Sequence, residues 1–448
     1  MKLASSIAFR IYDLKTQTRA IAFNTQTRQF MFLEGLSVEL LQLLVGEQYS
    51  ELKQWMLKNE LAETDVRAFS DKLVNFGFYN SSSTPPQNRD IGKEISNNLD
   101  TEHRRDLDLF LKVLHEHGLY YYFHIDLTNR CNERCIHCYH PFECYDYSNE
   151  LSTEEVKSLI DKVYDLGAFV VTLSGGECLL RDDFFEILEY ISDKNILSVI
   201  FTNGILLTED IVQHLSKYRV KTVSISIYGD EPEIHDKITT VKGSFAKTMS
   251  GVALLKKYNI PFEIKSVLMA ENIERTEQIR ALSRKLNYGR DCRLDFSLCG
   301  KINGDCDPLI HQASLEAIKK VFYANPERYI DIGHLKTLNA DDFPCGAGKY
   351  RLYCSADGEI YPCVSFRLHI CHYSELPQIR ESPILRQWLQ TKIRDFTDCM
   401  KHEYCKYCSE ICAGNNLIEN GNYLNSKNGS RCELAKIITE WVKKHREL

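Results

Sequence analysis

The feature that most constrains the fold is a regular alternation of strand-like and helix-like segments between residues 119 and 300. The strand-like segments are "YYYFHIDL", "FVVTLSG", "LSVIFTNG", "KTVSISIYG", "PFEIKSVLM" and "CRLDFSLCG". Several are near-continuous apolar runs, which is typical of parallel strands covered on both faces. Helical patterns such as "STEEVKSLIDKVYDLG" and "NIERTEQIRALSRKLN" separate them. Six repeats predict an α/β fold, a (β/α)6 partial TIM barrel, because a complete eight-strand barrel usually takes ~250 residues.

Residues 1–80 form a separate unit in the sequence pattern. Three short strands are predicted from "SIAFRIYDL", "TRAIAFN" and "RQFMFL". Three helices follow in "SVELLQLLVG", "YSELKQWMLKNE" and "ETDVRAFSDKLVNFGFY", with Ser37 and Thr64 as expected N-caps. This order predicts a small winged-helix-like module. Residues 81–100 are rich in Ser, Pro and Asn and are expected to form a linker to the barrel, which we place at 101–310.

Bulk composition restricts the class of protein. The net charge is -7, the mean hydropathy is -0.32, and 26% of residues are charged. This acidic balance disfavours nucleic-acid partners, whose phosphates need clustered Lys and Arg. No segment approaches the ~20 apolar residues of a membrane helix, and the first apolar run is too short for a secretory signal. A cytoplasmic location without a membrane partner is therefore expected.

The cysteines are concentrated in two places. None of the 17 precedes Cys131; four fall within 131–144, and nine lie from Cys345 to Cys432 at short spacings, eight of which are candidate ligands. Because thiols stay reduced in the cytoplasm and the number is odd, a disulfide framework is disfavoured and metal ligation is expected. After a bridge at 311–342, residues 343–448 have few long elements and are expected to fold around metal.

The first group of cysteines, in "CNERCIHC", offers three thiolates at Cys131, Cys135 and Cys138. A structural zinc site takes four protein ligands, and a catalytic one takes three plus water. A [4Fe–4S] cluster held by three cysteines leaves one iron open to a substrate or cofactor. The spacing favours the iron–sulfur cluster, while zinc and unligated core thiols remain open alternatives.

Further motifs make the loop resemble the cluster loop of radical S-adenosylmethionine (SAM) enzymes, in which the open iron binds SAM. Each motif ends a predicted strand: "LSGGE" with Gly175, Gly176 and Glu177, "FTNG" with Thr202 and Asn203, and "SISIYG" with Ser226. The resemblance implies that these residues contact SAM, the glycines allowing close backbone approach. It also implies an external electron donor such as flavodoxin or ferredoxin. The segment "HDKITTVKGSF" is similar to the following segment in many members.

Three positions depart from the family pattern. Cys178 stands where proline often follows Gly-Gly-Glu, and Tyr228 replaces an acidic residue after the fourth strand. His137 occupies a position that is often aromatic. For His137, packing beside the cluster and proton transfer are both open.

The second group of cysteines resembles the SPASM extension of radical SAM peptide-modifying enzymes, which carries two auxiliary [4Fe–4S] clusters. The closest matches are "DGEIYPC" and "CKYCSEICAGN". We assign Cys345, Cys354, Cys363 and Cys399 to auxiliary cluster I, and Cys405, Cys408, Cys412 and Cys432 to auxiliary cluster II. Two zinc sites with the same ligands stay possible.

Two positions in this region depart from its relatives. Asn416 stands where a final cysteine is common, and Val364 where some relatives place an Asp, so no base is carried over. The other cysteines, Cys178, Cys292, Cys299, Cys306 and Cys371, are expected to be small buried residues.

The front module resembles the PqqD-like leader-recognition domains that precede many peptide maturases and bind a leader by β-augmentation. Residues 36–66 contain two Lys and no Arg, which disfavours DNA. The three modules together predict a radical SAM oxidoreductase that cross-links a ribosomal precursor peptide through a thioether or carbon–carbon bond. The alternatives are a maturase of a folded protein partner and a non-catalytic iron–sulfur or zinc adaptor for electron transfer.

Overall fold

The computed structural model of the chain describes residues 4, 6–14, 17–45, 48–78, 101–144, 146–296, 298–329, 339–408, 411–425 and 430–446. The predicted linker at 81–100 and residues 330–338 of the predicted bridge lie outside these ranges. No helix within the described ranges combines the length and the apolar character that crossing a membrane requires.

The front of the chain has the predicted order of three strands followed by three helices. The strands are β1 (Ile7–Leu14), β2 (Gln17–Asn24) and β3 (Phe30–Glu34), antiparallel in the order β1-β2-β3. The helices are α1 (Leu36–Val45), α2 (Tyr49–Lys58) and α3 (Glu63–Asn75). Leu41, Leu73 and Phe78 lie in the core between sheet and helices.

The predicted N-caps are wrong. Helix α1 already begins at Leu36 and α3 at Glu63, so Ser37 and Thr64 lie inside the first turns. The N-cap of α3 is Ala62, which has no side chain that could cap. The Asp65 carboxylate instead accepts a hydrogen bond from the Ala62 backbone N–H at 2.9 Å. A carboxylate within the first turn also complements the helix dipole.

The middle of the chain confirms the predicted partial barrel. Its parallel strands are β4 (Tyr122–Thr128), β5 (Val170–Gly175), β6 (Leu197–Thr202), β7 (Val220–Ser226), β8 (Phe262–Val267) and β9 (Arg293–Asp295). Helix α4 (Thr101–Glu116) precedes them. The helices between and after the strands are α5 (Thr153–Asp165), α6 (Phe184–Asp193), α7 (Glu209–Leu215), α8 (Pro232–Thr239), α9 (Ser244–Lys257), α10 (Thr276–Leu286) and α11 (Leu315–Ala324).

The cysteine-rich region extends the same sheet, which the sequence did not predict. Its strands are β10 (Arg351–Cys354), β11 (Glu359–Tyr361) and β12 (Cys371–His372), and β10 pairs parallel to β4. The nine strands follow the order β12-β11-β10-β4-β5-β6-β7-β8-β9. Leu352, Ile360 and Trp388 share the apolar core of the barrel. This region therefore buries more apolar surface than its composition suggested.

The remaining helices are short except for the last. They are α12 (Pro383–Gln390), α13 (Thr397–Met400), α14 (Ala413–Asn420) and α15 (Ser430–Arg446). The longest 3₁₀ segment is Tyr373–Glu381. Trp441 on α15 contacts Phe322 of α11, which attaches the C-terminal helix to the barrel.

The front module docks against the N-terminal ends of the barrel strands. Arg10 donates hydrogen bonds to the carbonyls of Ala168, at 2.7 Å, and Tyr164, at 2.5 Å. Its guanidinium also lies 4.0 Å from the centre of the Tyr164 ring. The Tyr12 hydroxyl donates to the Gly167 carbonyl at 2.9 Å. The module thus occupies the end opposite the strand C-termini, where active sites of barrel folds are built.

Candidate functional site

The loop after β4 carries the first three cysteines, each of which is half-buried. Burial raises the pKa of the Cys131 thiol to about 12 and that of Cys138 to about 11. The pKa of Cys135 is shifted upward as well, by burial and by the Glu133 carboxylate. The charge of Cys138 acts on both other thiols, so the three are neighbours. The raised pKa values mean that deprotonating these thiols is unfavourable in the metal-free protein. A bound metal compensates for this because it binds the thiolate form.

The spacing of these thiols bears on which metal group fits. Among the described residues, no three Cys, His, Asp or Glu side chains are arranged to hold a single ion. A single Zn²⁺ would draw its sulfurs to about 2.3 Å from one point. A four-iron cluster attaches each thiolate to a different iron. Three thiols are one fewer than a structural zinc site takes, and they fit a four-iron cluster that keeps one iron open.

The Gly175–Gly176 turn after β5 packs directly on the start of this loop. The Gly176 N–H donates to the Thr128 carbonyl at 2.8 Å, and the Glu177 N–H donates to the Arg130 carbonyl at 2.8 Å. A Cβ at Gly176 would lie 2.3 Å from the Arg130 oxygen. Gly175, at φ +124°, would place its Cβ 2.1 Å from the Thr128 oxygen. Contact with the cysteine loop therefore requires glycine at both positions. The expected approach of SAM would be a second, separate reason for them.

The carboxylate of Glu177 links the ends of β5 and β6 through hydrogen bonds. It is fully buried and accepts hydrogen bonds from the Asn203 N–H at 2.8 Å and the Leu179 N–H at 3.1 Å. The Thr202 hydroxyl donates to it at 2.9 Å. Burial outweighs these donors and raises the pKa of Glu177 to about 7. Asn203 in turn donates to the Asn132 side chain on the cysteine loop at 2.6 Å.

The structure brings two of the unusual positions into contact. The ring centres of His137 and Tyr228 lie 4.6 Å apart in an edge-on arrangement. Burial lowers the pKa of His137 to about 4, which keeps the ring neutral. None of the described residues offers a hydrogen bond to its buried Nδ1. Ser226 at the end of β7 shares a side-chain hydrogen bond with Tyr228. Ser226 is therefore linked to the loop through Tyr228 and His137.

The third unusual position, Cys178, points into the core. It is fully buried, and its thiol donates to the Phe201 carbonyl at 3.3 Å. The structure thus places Cys178 where a small apolar residue is expected.

Sequence reasoning missed a buried acidic centre inside the barrel. Asp126 on β4 accepts a hydrogen bond from the Tyr353 hydroxyl at 2.5 Å and lies 3.2 Å from His124 Nε2. His140 Nε2 lies 3.8 Å away on the same carboxylate. Burial alone would raise the pKa of Asp126, but the two histidines hold it below the usual value. The sequence feature that could have revealed this centre is the pair His124 and Asp126, two polar residues at alternate positions of an otherwise apolar strand.

In the second group of cysteines, Cys399 joins the later residues. Cys405 shares a hydrogen bond with Cys399 and lies within electrostatic reach of Cys432 and Cys408. Burial and these neighbours raise the pKa of the Cys405 thiol. The sequence pattern grouped Cys399 with the three earlier cysteines instead, and its contact with Cys405 favours the later group.

The backbone two residues after Cys412 packs on the turn that follows Cys363. The Gly414 backbone packs so closely on this turn that a Cβ would lie 2.1 Å from the Ser365 oxygen. The Gly348 N–H donates to the Pro362 carbonyl at 3.1 Å, which brings the turn after Cys345 to the same place.

Cys354, in contrast, is fully buried in β10, and its thiol donates to the Ser355 carbonyl at 3.4 Å. The side chain of Asn416 donates to the Tyr423 carbonyl at 3.0 Å. Asn416 is therefore engaged in closing a loop.

Of the remaining cysteines, two are buried as expected, whereas Cys299 and Cys306 are not. Cys292 and Cys371 are buried and Cys299 is half-buried. Cys306 is exposed, with its sulfur 3.7 Å from the Gly304 carbonyl, so the prediction for this residue is wrong. The polar turn around it, "NGDCD", leaves no apolar surface to cover the thiol.

Comparison with known proteins identifies the domain in the middle of the chain. Residues 125–282 match the model described as the radical SAM superfamily. The chain contains a radical SAM domain. The resemblance drawn from the motifs is confirmed over this range, which contains the cysteine loop, the Gly-Gly-Glu turn and the ends of β6 and β7.

Relatives of this radical SAM domain occur in proteins with different names. The AdoMet-dependent heme synthase of Methanosarcina barkeri is 35% identical over 198 residues, which is 44% of this chain and 56% of the relative. The chain thus spans about half the length of that synthase. The subtilosin biosynthesis protein AlbA of Bacillus subtilis is 26% identical over 338 residues, covering 71% of this chain and 70% of AlbA.

A solved structure extends the likeness in fold beyond the radical SAM domain. Streptococcus suis SuiB bound to the precursor peptide SuiA aligns with a TM-score of 0.55 at 15% identity. The alignment covers 96% of this chain and 99% of SuiB. At this identity the likeness establishes the mixed α/β fold and nothing further. It nevertheless includes the front module and the cysteine-rich region.

Proposed function

We propose that this protein is a radical SAM enzyme that modifies a ribosomally synthesised precursor peptide. The observation that carries the proposal is the bracing of the three-cysteine loop by the Gly-Gly-Glu turn and by Asn203. A loop that offers three neighbouring thiols suits a [4Fe–4S] cluster with one open iron. When bound, the cluster and SAM supply a 5′-deoxyadenosyl radical that takes a hydrogen atom from the substrate.

The residues of this chain have separate tasks in the proposal. Cys131, Cys135 and Cys138 hold the cluster. The SAM-contacting set is proposed to be Gly175, Gly176, Glu177, Thr202, Asn203 and Ser226. Glu177 orients the ends of β5 and β6 through its three donors. No side chain is assigned as the catalytic base.

The contacts among the later cysteines support a revised allocation of auxiliary ligands. We assign Cys399, Cys405, Cys408 and Cys432 to one four-thiolate site. Cys345, Cys363 and Cys412 form the second, and Cys354 is left in the core of β10. Two auxiliary [4Fe–4S] clusters are expected, which together with the cluster at Cys131, Cys135 and Cys138 give about twelve irons per chain. Two zinc ions per chain would instead indicate the adaptor alternative.

A peptide substrate is favoured by the extent of the matches. The heme synthase match has higher identity but covers 44% of this chain. The AlbA match covers 71% of it, and the SuiB alignment 96%. AlbA is named for bacteriocin biosynthesis, and SuiB was solved with a precursor peptide. Both of these alignments extend beyond the radical SAM domain, and both relatives are linked to peptides by name, which supports a peptide substrate.

The front module offers surfaces that suit an extended leader peptide. In the described part of the chain, β3 pairs with β2 and has no strand on its other edge. A leader could add to this edge as a fourth strand, with main-chain hydrogen bonds providing affinity. A groove of about 590 Å³ between α1 and α3, lined by Leu44, Val66 and Ser70, lies in the same module. An external donor such as flavodoxin or ferredoxin would supply the electron in the cytoplasm.

The proposal is tested with candidate precursor peptides taken from any short reading frames next to this gene. The anaerobically reconstituted enzyme is incubated with SAM, dithionite and the peptide, and the products are analysed by mass spectrometry. A thioether or carbon–carbon cross-link removes two hydrogen atoms from the peptide, and one of them should appear in 5′-deoxyadenosine. Cys131→Ala should abolish both products, whereas Cys306→Ala, at an exposed cysteine, should not. Formation of 5′-deoxyadenosine with an unchanged peptide would point to a different substrate, such as a folded protein partner.

A further inference from the structure

The segment 235–245, "HDKITTVKGSF", has no role in the function proposed so far. It covers the end of α8 and the start of α9, and we call it the clamp segment. Its residues His235 and Ser244 are buried, with 1% and 0% of their surface exposed. Buried polar side chains need hydrogen-bond partners. The partners of these two residues lie at the end of β7 and on the cysteine loop.

A chain of hydrogen bonds runs from the end of β7 to the cysteine loop. His235 Nδ1 accepts from the Tyr228 N–H at 3.1 Å, so the single proton of the neutral ring lies on Nε2. Nε2 lies 3.2 Å from the Ser244 hydroxyl and donates to it. Ser244 donates to the Glu133 carboxylate at 2.5 Å. Burial lowers the pKa of His235 to about 4, so this tautomer has no competing charged form at neutral pH.

Backbone contacts tie the same segment to the same loop. The Arg134 N–H donates to the Thr239 carbonyl at 3.2 Å, and the Ile136 N–H donates to the Ile238 carbonyl at 3.0 Å. The Thr240 hydroxyl donates to the Arg134 carbonyl at 3.0 Å. The loop residues on both sides of Cys135 are therefore held by the end of α8.

The acidic residue of the clamp segment positions Ser244. The Asp236 carboxylate accepts from the Gly243 N–H at 2.6 Å and the Phe245 N–H at 2.8 Å. These bonds fix the first turn of α9 against the end of α8. They set the Ser244 hydroxyl between His235 and Glu133.

We propose that His235 and Ser244 are positioning residues that hold Glu133 and thereby the cysteine loop in its ligand-ready shape. The inference deepens the proposed function, because it assumes that Cys131 and Cys135 are cluster ligands. The loop lacks regular structure, so its thiols need external bracing to be near each other before the cluster arrives. Glu133 lies between the two cysteines, and the Cys135 sulfur lies 3.6 Å from its second oxygen. Fixing this carboxylate fixes both flanking thiols.

Two substitutions of His235 separate positioning from simple packing. His235→Gln keeps an N–H donor near the Nε2 position and should preserve the bond to Ser244. His235→Asn keeps only the acceptor for the Tyr228 N–H. Ser244→Ala removes the link to Glu133 directly. The matched control is Ser283→Ala, a fully buried serine on α10 whose hydroxyl donates to the Arg290 carbonyl at 3.0 Å.

The first readout uses the metal-free full-length chain. Alkylation of Cys131 and Cys135 by iodoacetamide is timed by peptide mass mapping, with buried Cys178 and Cys292 as internal references for global opening. Ser244→Ala and His235→Asn should speed labelling of the loop thiols about tenfold, as local loosening would. His235→Gln and Ser283→Ala should leave it within about threefold of the unchanged protein. If Cys178 or Cys292 also react faster in Ser244→Ala, that variant opens globally and cannot report on the loop alone. The inference is then judged by comparing the labelling rates of His235→Asn and His235→Gln.

The second readout is the electron paramagnetic resonance spectrum of the reduced, reconstituted protein before and after SAM addition. His235→Asn and Ser244→Ala should alter the SAM-dependent change in the spectrum, and Ser283→Ala should not. Equal labelling rates in His235→Asn and His235→Gln, together with unchanged spectra, would overturn the inference. The labelling needs neither cluster nor SAM. Faster labelling in a protein that makes no 5′-deoxyadenosine would therefore reject the proposed function while supporting the clamp.

Discussion

Replacing Gly176 by alanine tests the bracing between the Gly-Gly-Glu turn and the cysteine loop. The new Cβ would lie 2.3 Å from the Arg130 oxygen and 2.9 Å from the Asn129 oxygen. Both contacts are with backbone, so a side-chain rotation cannot relieve them. The loop must retreat until the closest contact exceeds 3.0 Å, the limit that real Cβ atoms respect. Cys131 follows Arg130 directly and would move with it.

The expected cost has two parts. Overpacking of this kind destabilises by about 1–3 kcal/mol, and a misplacement approaching 1 Å at a catalytic centre costs about 10²-fold in rate. Urea denaturation measures the first, and the initial rate of 5′-deoxyadenosine formation at saturating SAM measures the second. Gly289→Ala is the control, because Gly289 has φ +83° and no described atom lies within 4 Å of the place its Cβ would take. It should cost about 1–2 kcal/mol through left-handed strain and leave the rate unchanged. A Gly176→Ala enzyme with the original rate would refute the bracing between turn and loop.

Three further predictions concern other parts of the molecule. Burial raises the pKa of Glu177 from 4.5 to about 7, so the folded state retains a proton that the unfolded chain releases. The unfolding free energy should therefore fall by at most about 3 kcal/mol between pH 4.5 and 7; Glu177→Gln should remove this slope in urea titrations, and an identical slope would contradict the shift. Cys399→Ser should lower bound iron by about four per chain, whereas Cys354→Ser should leave it unchanged; loss of about four irons in both variants would restore the sequence-based allocation. Arg10→Met removes two charge-assisted hydrogen bonds between the front module and the barrel, each worth about 1.5–3 kcal/mol. It should speed limited proteolysis near the junction, and an unchanged rate would show that the apolar contacts suffice.

The fold was predictable where periodicity was strong. The six parallel strands were visible because several are buried apolar runs and helical patterns separate them. Strand β10 was not, because four residues, "RLYC", carry too little pattern and their pairing with β4 joins distant parts of the chain. The N-cap at Ala62 was also hidden, since the cap comes from the Asp65 side chain within the helix.

The candidate site, like the fold, could be predicted only in part from the sequence. The three-cysteine loop is local, so its spacing indicated the type of cofactor. The auxiliary ligands are distant in sequence, and the equal spacing of Cys345, Cys354 and Cys363 suggested one set. The structure places the middle cysteine in a core strand and the outer two at turns, because a strand and a turn alternate between them. Asp126 was missed because its partner Tyr353 lies on β10.

The central claim is that three cysteines of this chain support the reductive cleavage of SAM. The most direct measurement is the amount of 5′-deoxyadenosine formed by the anaerobically reconstituted, dithionite-reduced protein, compared with a variant in which Cys131, Cys135 and Cys138 are all alanine. The claim predicts multiple turnovers, or at least one equivalent per chain, for the unchanged protein and none for the variant, while iron at the later cysteines is retained. Equal amounts from both proteins, or none from an unchanged protein that carries its full iron content, would contradict it.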